Sequence, residues 1–185
     1  MALILASGSP RRRELLQLIT QDFTVLTSEV DEGTLFADTP ARLAQTLATA
    51  KAQAVAASHP EDLVLGCDTV VDCGSVVFGK PADEADALRM LRALSGRAHK
   101  VHTGVCICRH GRSAATVETT VVHFSPIREE DLLDYVRTPE PYDKAGAYAI
   151  QGHAALWCAG IEGCYYNIMG LPVHRTAQLL RTFAD

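Results

Sequence analysis

The stretch that decides the fold is MALILASGSPRRRELLQLI, residues Met1–Ile19. Leu3 to Ala6 reads as a short buried strand, and Ser7-Gly8-Ser9 turns the chain. Ser9 is a good N-cap and Pro10 suits the first helical position, which predicts a helix from Pro10 to about Ile19. Leu15, Leu16, Leu18 and Ile19 would form its apolar face. A strand, a glycine turn and a helix in direct succession are the opening of an α/β arrangement. The same stretch poses an electrostatic question. Arg11, Arg12 and Arg13 sit in the first helical turn, where the helix dipole disfavours a cation by about 0.3–1 kcal/mol. Backbone N–H groups at such a turn favour an anion, so the arginines need either water around them or a negative ligand among them. The GK[ST] of a Walker A loop is absent.

Working outward, Phe23 to Leu26 reads as a second strand, followed by the acidic turn Ser28 to Gly33. The alanine- and leucine-rich run from Pro40 to Ser58 predicts a long helix. Leu63 to Leu65 is a buried strand that ends at Gly66-Cys67-Asp68-Thr69; Val70 and Val71 either continue it or begin a hairpin through Cys73-Gly74-Ser75. Gly79-Lys80-Pro81 introduces a helix from Asp83 to Leu94, stopped by Ser95-Gly96. Val101 to Arg109 and Thr116 to Phe124 alternate as paired strands around His110-Gly111-Arg112. A helix over Glu129 to Val136 precedes a polar loop from Thr138 to Gly152. Leu156 to Ile161 and Cys164 to Ile168 suggest a last hairpin, and Pro172 to Phe183 a last helix. The pattern is a mixed α/β sheet flanked by helices. Its 185 residues suit one domain or two intimate lobes.

Hydrophobic residues make up 48% of the chain and charged ones 21%, with a formal net charge of −5. That balance argues against a nucleic-acid binder, so any anion site must be a local exception. The five apolar residues of ALILA have no basic stretch before them, unlike a signal peptide, and no run reaches a membrane span. A cytoplasmic protein without membrane partners is expected. Cys67, Cys73, Cys106, Cys108, Cys158 and Cys164 form no CxxC pair and read as reduced thiols; the seven histidines lack HxH or HExxH spacing.

Four places carry candidate chemistry. The first is the Ser7 to Arg12 turn. The second is Asp68, a carboxylate at the end of an apolar strand, where catalytic groups gather in α/β folds; a turn-capping role is the plainer alternative. The third comprises Asp31 and Glu32, Lys51 and Lys80, each a surface charge when taken alone. The fourth is the loop segment Asp143 to Tyr148, followed by Gln151, whose amide could read a base edge. Arginine and lysine bind polyphosphate, and carboxylates suit Mg²⁺. A carboxylate can also position or deprotonate water. Together they describe hydrolysis of a nucleoside triphosphate.

The strings ASGSPRRREL, LATAKA, GCDTVV, GKP, LSGRAHKVHTGV, EPYDKAGAYAIQG and GCYYNIMGLP, with the glutamate after the second strand, resemble the Maf family of nucleotide pyrophosphatases in unbroken order. The resemblance implies a two-lobed fold related to the inosine triphosphatase architecture, with one cleft. It implies cleavage between the α- and β-phosphates, giving a nucleoside monophosphate and pyrophosphate, with a divalent cation, Mg²⁺ or Mn²⁺. On this chain Asp68 matches the proton acceptor, and Ser7, Arg11, Arg12, Glu32, Lys51 and Lys80 match phosphate- and metal-site positions, with Glu32 and Asp68 as the metal carboxylates. Arg11 or Arg12, Thr69 and Gln151 match positions tied to substrate choice, and DKAGAYAIQG looks like the subgroup acting on dTTP and UTP. Related proteins often pair, which leaves a homodimer open. Thr49 stands where many relatives have arginine, and Gly152-His153-Ala154-Ala155 also departs from the usual pattern. A different class, a nucleotide-sensing or protein-binding regulator of cell division without turnover, is weakened by the intact Asp68, Lys51 and Lys80.

Overall fold

Ser9 accepts a hydrogen bond from the Arg12 amide at 3.5 Å and Pro10 is the first helical residue, as expected. The computed structural model describes residues 2–74 and 76–183. In chain order the elements are β1 (Leu3–Ala6), α1 (Pro10–Leu16), β2 (Thr24–Val25), α2 (Pro40–Ala56), β3 (Leu63–Asp72), β4 (Val77–Phe78) and α3 (Glu84–Leu94). There follow β5 (Ala98–Arg109), β6 (Arg112–Phe124), α4 (Glu129–Val136), β7 (Cys158–Glu162), α5 (Tyr165–Met169) and α6 (Val173–Arg181). Helix α1 stops short of Ile19 because Leu18 faces solvent, 62% exposed, and the chain tightens into bonds from Leu18 to Leu15 and Ile19 to Leu16.

Among the described residues the strands form one mixed sheet in the order β2-β1-β3-β5-β6-β7, with β4 on β3. Strands β2, β1 and β3 run parallel; β3, β5, β6 and β7 pair antiparallel. β3 continues through Val70 and Val71 and then turns back to β4; Ser75 of the expected turn lies outside the described residues. Two partners share one edge of β3. β1 covers it up to Gly66, opposite Ala6, and β4 takes it up again at Val71, opposite Phe78. Between them, residues 67–70 have no strand on that edge among the described residues.

The expected last hairpin is corrected. Cys158–Glu162 is a strand, but it pairs with β6, and the segment after it is the helix α5. The β-prone residues there are overridden by tertiary contacts: Asn167 is fully buried with its amide bonded to the Val101 carbonyl at 2.9 Å, and Gly170, at φ 109°, ends the helix in the left-handed region.

Side-chain alternation separates two layers. Leu5, Leu65, Cys67, Val71, Val105 and Ile107 pack with α1, α3, α4, α5 and α6, whereas Ile4, Ala6, Val64, Cys106 and Cys108 lie under α2. Two glycines let α2 sit unusually close. A Cβ on Gly66 would lie 2.2 Å from the Ala48 carbonyl oxygen, and one on Gly104 would lie 2.2 Å from that of Ala44. No described helix is long and apolar enough to cross a membrane.

The loop after α4 is pinned to the sheet by His99 of β5, whose Nε2 shares a 2.8 Å hydrogen bond with the Tyr148 hydroxyl. Burial pushes the His99 imidazole down to about 4, against a smaller opposing pull from the Arg97 backbone. An unfolded chain, with the ordinary value of 6.5, therefore binds more protons than the folded one between pH 6.5 and about 4. Stability is intact above that window and falls as pH drops through it, by up to about 3 kcal/mol from this group. His102, lowered by burial against the pull of Asp72, acts in the same direction. Urea midpoints of wild type and His99→Gln across the window check this: the variant is expected to lose less stability on acidification. Parallel curves would remove His99 as the cause.

Candidate active site

The bare stretch of the β3 edge opens into a cleft of about 910 Å³. Its lining includes the cations Arg11, Arg12, Lys51, Lys80 and Lys144 and the carboxylates Glu32, Asp68 and Asp143. Positive charge is thus in local excess on a chain whose formal net charge is −5. Ser7, Thr69 and Gln151 line the same space, so every charged or polar site residue read from the sequence except Asp31 converges there. Arg13 does not; it is exposed outside the cleft.

Adjacent residues of β3 point to opposite faces, and each starts a different cluster. Asp68 faces α2. Lys51 reaches down from that helix and places Nζ 2.5 Å from Asp68 Oδ1 and 2.7 Å from Glu32 Oε1. The close seat of α2 on Gly66 and Gly104 makes that reach possible. Asp68 and Lys51 have side chains only 10% and 13% exposed, so their attraction is weakly screened, whereas Glu32 is half-exposed. Asp31 proves to be structural: its carboxylate accepts from the Gly33 amide at 3.1 Å and caps the short turn Glu32–Thr34, which presents Glu32 to Lys51. Asp68 Oδ2 has no hydrogen-bond partner among the described residues.

Thr69 faces the other layer, where Arg12 is held at three points. Its Nη2 donates to Thr69 Oγ1 at 3.1 Å, its Nη1 to Ser7 Oγ at 3.1 Å, and its Nε to the Gly170 carbonyl at 2.9 Å. All three acceptors are neutral, so the guanidinium is fixed in place with no ion pair among the described residues. Arg11 differs. It pairs with Asp143 Oδ2 at 2.9 Å, and Asp143 Oδ1 also holds Lys144 at 2.5 Å. Both cations hold the Asp143 carboxyl below the usual range, against the opposing effect of its burial. Lys80 and Gln151 are exposed at the cleft and make no ion pair or hydrogen bond among the described residues.

One contributor was not singled out from the sequence. Gly170 acts through its carbonyl, which any residue possesses, so no side-chain signal could mark it. Asp143 and Lys144 were visible in a charged loop, but their link to Arg11 joins positions 132 residues apart. Thr49, the departure from the arginine of relatives, bonds back to the Gln45 carbonyl at 2.8 Å and does not line the cleft. His153 lies beside Glu140 at 3.2 Å.

A divalent cation fits this donor set. Asp68 and Glu32 both reach one Lys51 nitrogen and present hard carboxylate oxygens, the donor type a small divalent cation takes, with phosphate and water oxygens needed to complete its shell. Among the described residues no group of three or more His, Cys, Asp or Glu forms a self-sufficient metal cage.

A family model described as Maf-like protein matches residues 2–183. The dTTP/UTP pyrophosphatase of Symbiobacterium thermophilum is 52% identical over 181 residues, covering 98% of this chain and 93% of that protein. The dTTP/UTP pyrophosphatase of Koribacter versatilis is 49% identical, covering 98% and 94%. In fold the chain resembles the solved Staphylococcus aureus Ham1 protein, with a TM-score of 0.53 over 98% of both chains at 12% identity, a likeness of architecture alone. The strand-edge cleft and its charged residues therefore sit in a sequence matched almost from end to end, and the chain belongs to the Maf family.

Proposed function

We propose that the protein is a nucleoside triphosphate pyrophosphatase that hydrolyses the α–β phosphoanhydride of dTTP and UTP, releasing the monophosphate and pyrophosphate. The observation that carries the reading is the convergence, at one gap in the sheet, of the Asp68–Lys51–Glu32 cluster with the Arg12 guanidinium held by neutral acceptors. The names of the relatives support the choice of thymine and uracil nucleotides.

In this reading Asp68 accepts the proton of the attacking water. Lys51 holds Oδ1, so Oδ2 is the accepting atom. Asp68 and Glu32 would hold Mg²⁺ or Mn²⁺, which supplies a Lewis acid for the phosphate oxygens and lowers the pKa of water. Arg12 and Lys80 neutralise the triphosphate and the departing pyrophosphate. Arg11 joins them by leaving Asp143; that pair is half-exposed on the Asp143 side and is easily exchanged for a phosphate. Gln151 and Thr69 meet the base or sugar end.

The test is incubation of the pure protein with Mg²⁺ or Mn²⁺ and a nucleotide panel, with products separated by anion exchange. UMP or dTMP with pyrophosphate is expected. A nucleoside diphosphate with orthophosphate would overturn the α–β assignment, and absence of turnover would overturn the enzyme. Arg12→Ala is expected to raise KM for UTP by about 10-fold or more, the worth of lost charge-assisted hydrogen bonds. Unchanged kinetics would return Arg12 to a structural role.

A further inference from the structure

Arg12 meets its acceptors at one end of a hydrogen-bond relay whose direction is set elsewhere. Thr103 stands opposite Thr69 in the β3–β5 register, with the two hydroxyl oxygens 3.0 Å apart. Thr103 is fully buried and donates to the Asn167 carbonyl at 2.9 Å. A hydroxyl has one hydrogen. Thr103, having given its hydrogen to Asn167, can only accept from Thr69; Thr69, having given its own to Thr103, can only accept from Arg12. The relay therefore runs one way, from Arg12 through Thr69 and Thr103 to the Asn167 carbonyl.

The far end is held by the Asn167 side chain. Its Nδ2 donates to the Val101 carbonyl at 2.9 Å and to Thr120 Oγ1 at 3.0 Å. Exchanging the amide oxygen and nitrogen would set two oxygens against each other at Val101, so the orientation is forced. Thr120 is itself committed, donating to the Cys164 carbonyl at 2.9 Å and accepting from the Cys164 amide at 3.0 Å. Asn167 Oδ1 is buried without a hydrogen-bond partner among the described residues, which costs folding about 1–3 kcal/mol, so stability alone does not account for an asparagine here. The same segment reaches Arg12 a second time, through the Gly170 carbonyl.

We infer that Thr103 and Asn167 are positioning residues for substrate binding: they fix the polarity of the Thr69 hydroxyl and so hold the Arg12 guanidinium aimed at the polyphosphate. The inference rests on the function proposed above. It also leaves Thr69 with no hydrogen for a ligand, so Thr69 can face a ligand only as an acceptor.

Thr103→Val keeps the shape and removes both roles of the hydroxyl. It is expected to raise KM for UTP by about 10-fold, as for the loss of one hydrogen bond to a charged group, while kcat changes little. Thr103→Ser restores the wild-type KM. In an Arg12→Ala background Thr103→Val adds nothing, because the relay then has nothing to aim. An unchanged KM, or the same added factor in both backgrounds, overturns the inference. A second readout needs no turnover: the Arg12 Nη2–H resonance, whose bond goes to Thr69 and which is identified by its loss in Arg12→Lys, is expected to be sharp and slowly exchanging in wild type and Thr103→Ser and broadened in Thr103→Val. Equal protection in all three overturns the relay. A wild type that hydrolyses no nucleotide, yet shows this pattern of resonances, would sink the proposed function and leave the positioning intact. Thr103→Ala, which adds no bulk, serves in place of a valine variant that fails to fold.

Discussion

Asp68→Asn is expected to lower the rate of pyrophosphate release from dTTP or UTP by about 10³-fold, within the range that a general base contributes. The substitution is nearly isosteric. An amide oxygen can still accept from Lys51, and Glu32 remains on the same nitrogen to balance its charge. The fold and the Arg12 side of the cleft should therefore persist, with a thermal midpoint within a few degrees of wild type. What disappears is an oxygen able to take a proton. Steady-state rates with UTP, alongside calorimetric titration of UTP into the variant, separate the two effects: turnover falls steeply and binding does not. A variant that retained a near-wild-type rate would remove Asp68 from proton transfer and shift attention to Glu32.

The second large effect is expected where no side chain exists. In Gly66→Ala the new methyl would lie 2.2 Å from the Ala48 carbonyl oxygen, 2.6 Å from the Ala52 nitrogen and 2.8 Å from the Ala52 Cβ. Two of these atoms are helix backbone, so α2 must lift from the sheet. Overpacking of this kind costs about 3 kcal/mol, which for a chain of this size lowers the melting temperature by roughly 10 °C. Lifting α2 also withdraws Lys51 from Asp68, so activity should fall beyond what partial unfolding explains. Gly160→Ala, whose Cβ would have no atom within 4 Å, is the matched control and should be silent. Equal melting temperatures for Gly66→Ala and wild type would mean that α2 is not seated on the sheet as described.

What could be read in advance followed from local chemistry. Ser9 and Pro10 begin a helix wherever they stand in this order, and the alternation of β5 and β6 names its own faces. The residues of the cleft were legible as types because polyphosphate chemistry requires cations beside carboxylates. Their roles in the geometry were not. Nothing in the arginine run distinguishes Arg11, paired to a distant aspartate, from Arg12, held by three neutral oxygens, or from Arg13 in solvent. Nor could the segment at Tyr165–Met169 be recognised as a helix, because its apolar residues suit a strand equally well. A buried amide and a glycine at its end, both answering to other elements, decided the matter. Asp31 and Glu32 show the same limit: one caps its own turn, the other crosses to α2, and only the third dimension assigns them.

The break in the edge of β3 gives neighbouring residues of one strand access to a common space from opposite sides of the sheet. Asp68 answers to α2, and Thr69 answers to α1 and β5, with no side chain shared between the two sets. Substitutions that retune Thr69, Thr103 or Arg12 can accumulate without disturbing Asp68, the proposed proton acceptor. A protein built this way is evolvable in what it accepts while conservative in what it does to it.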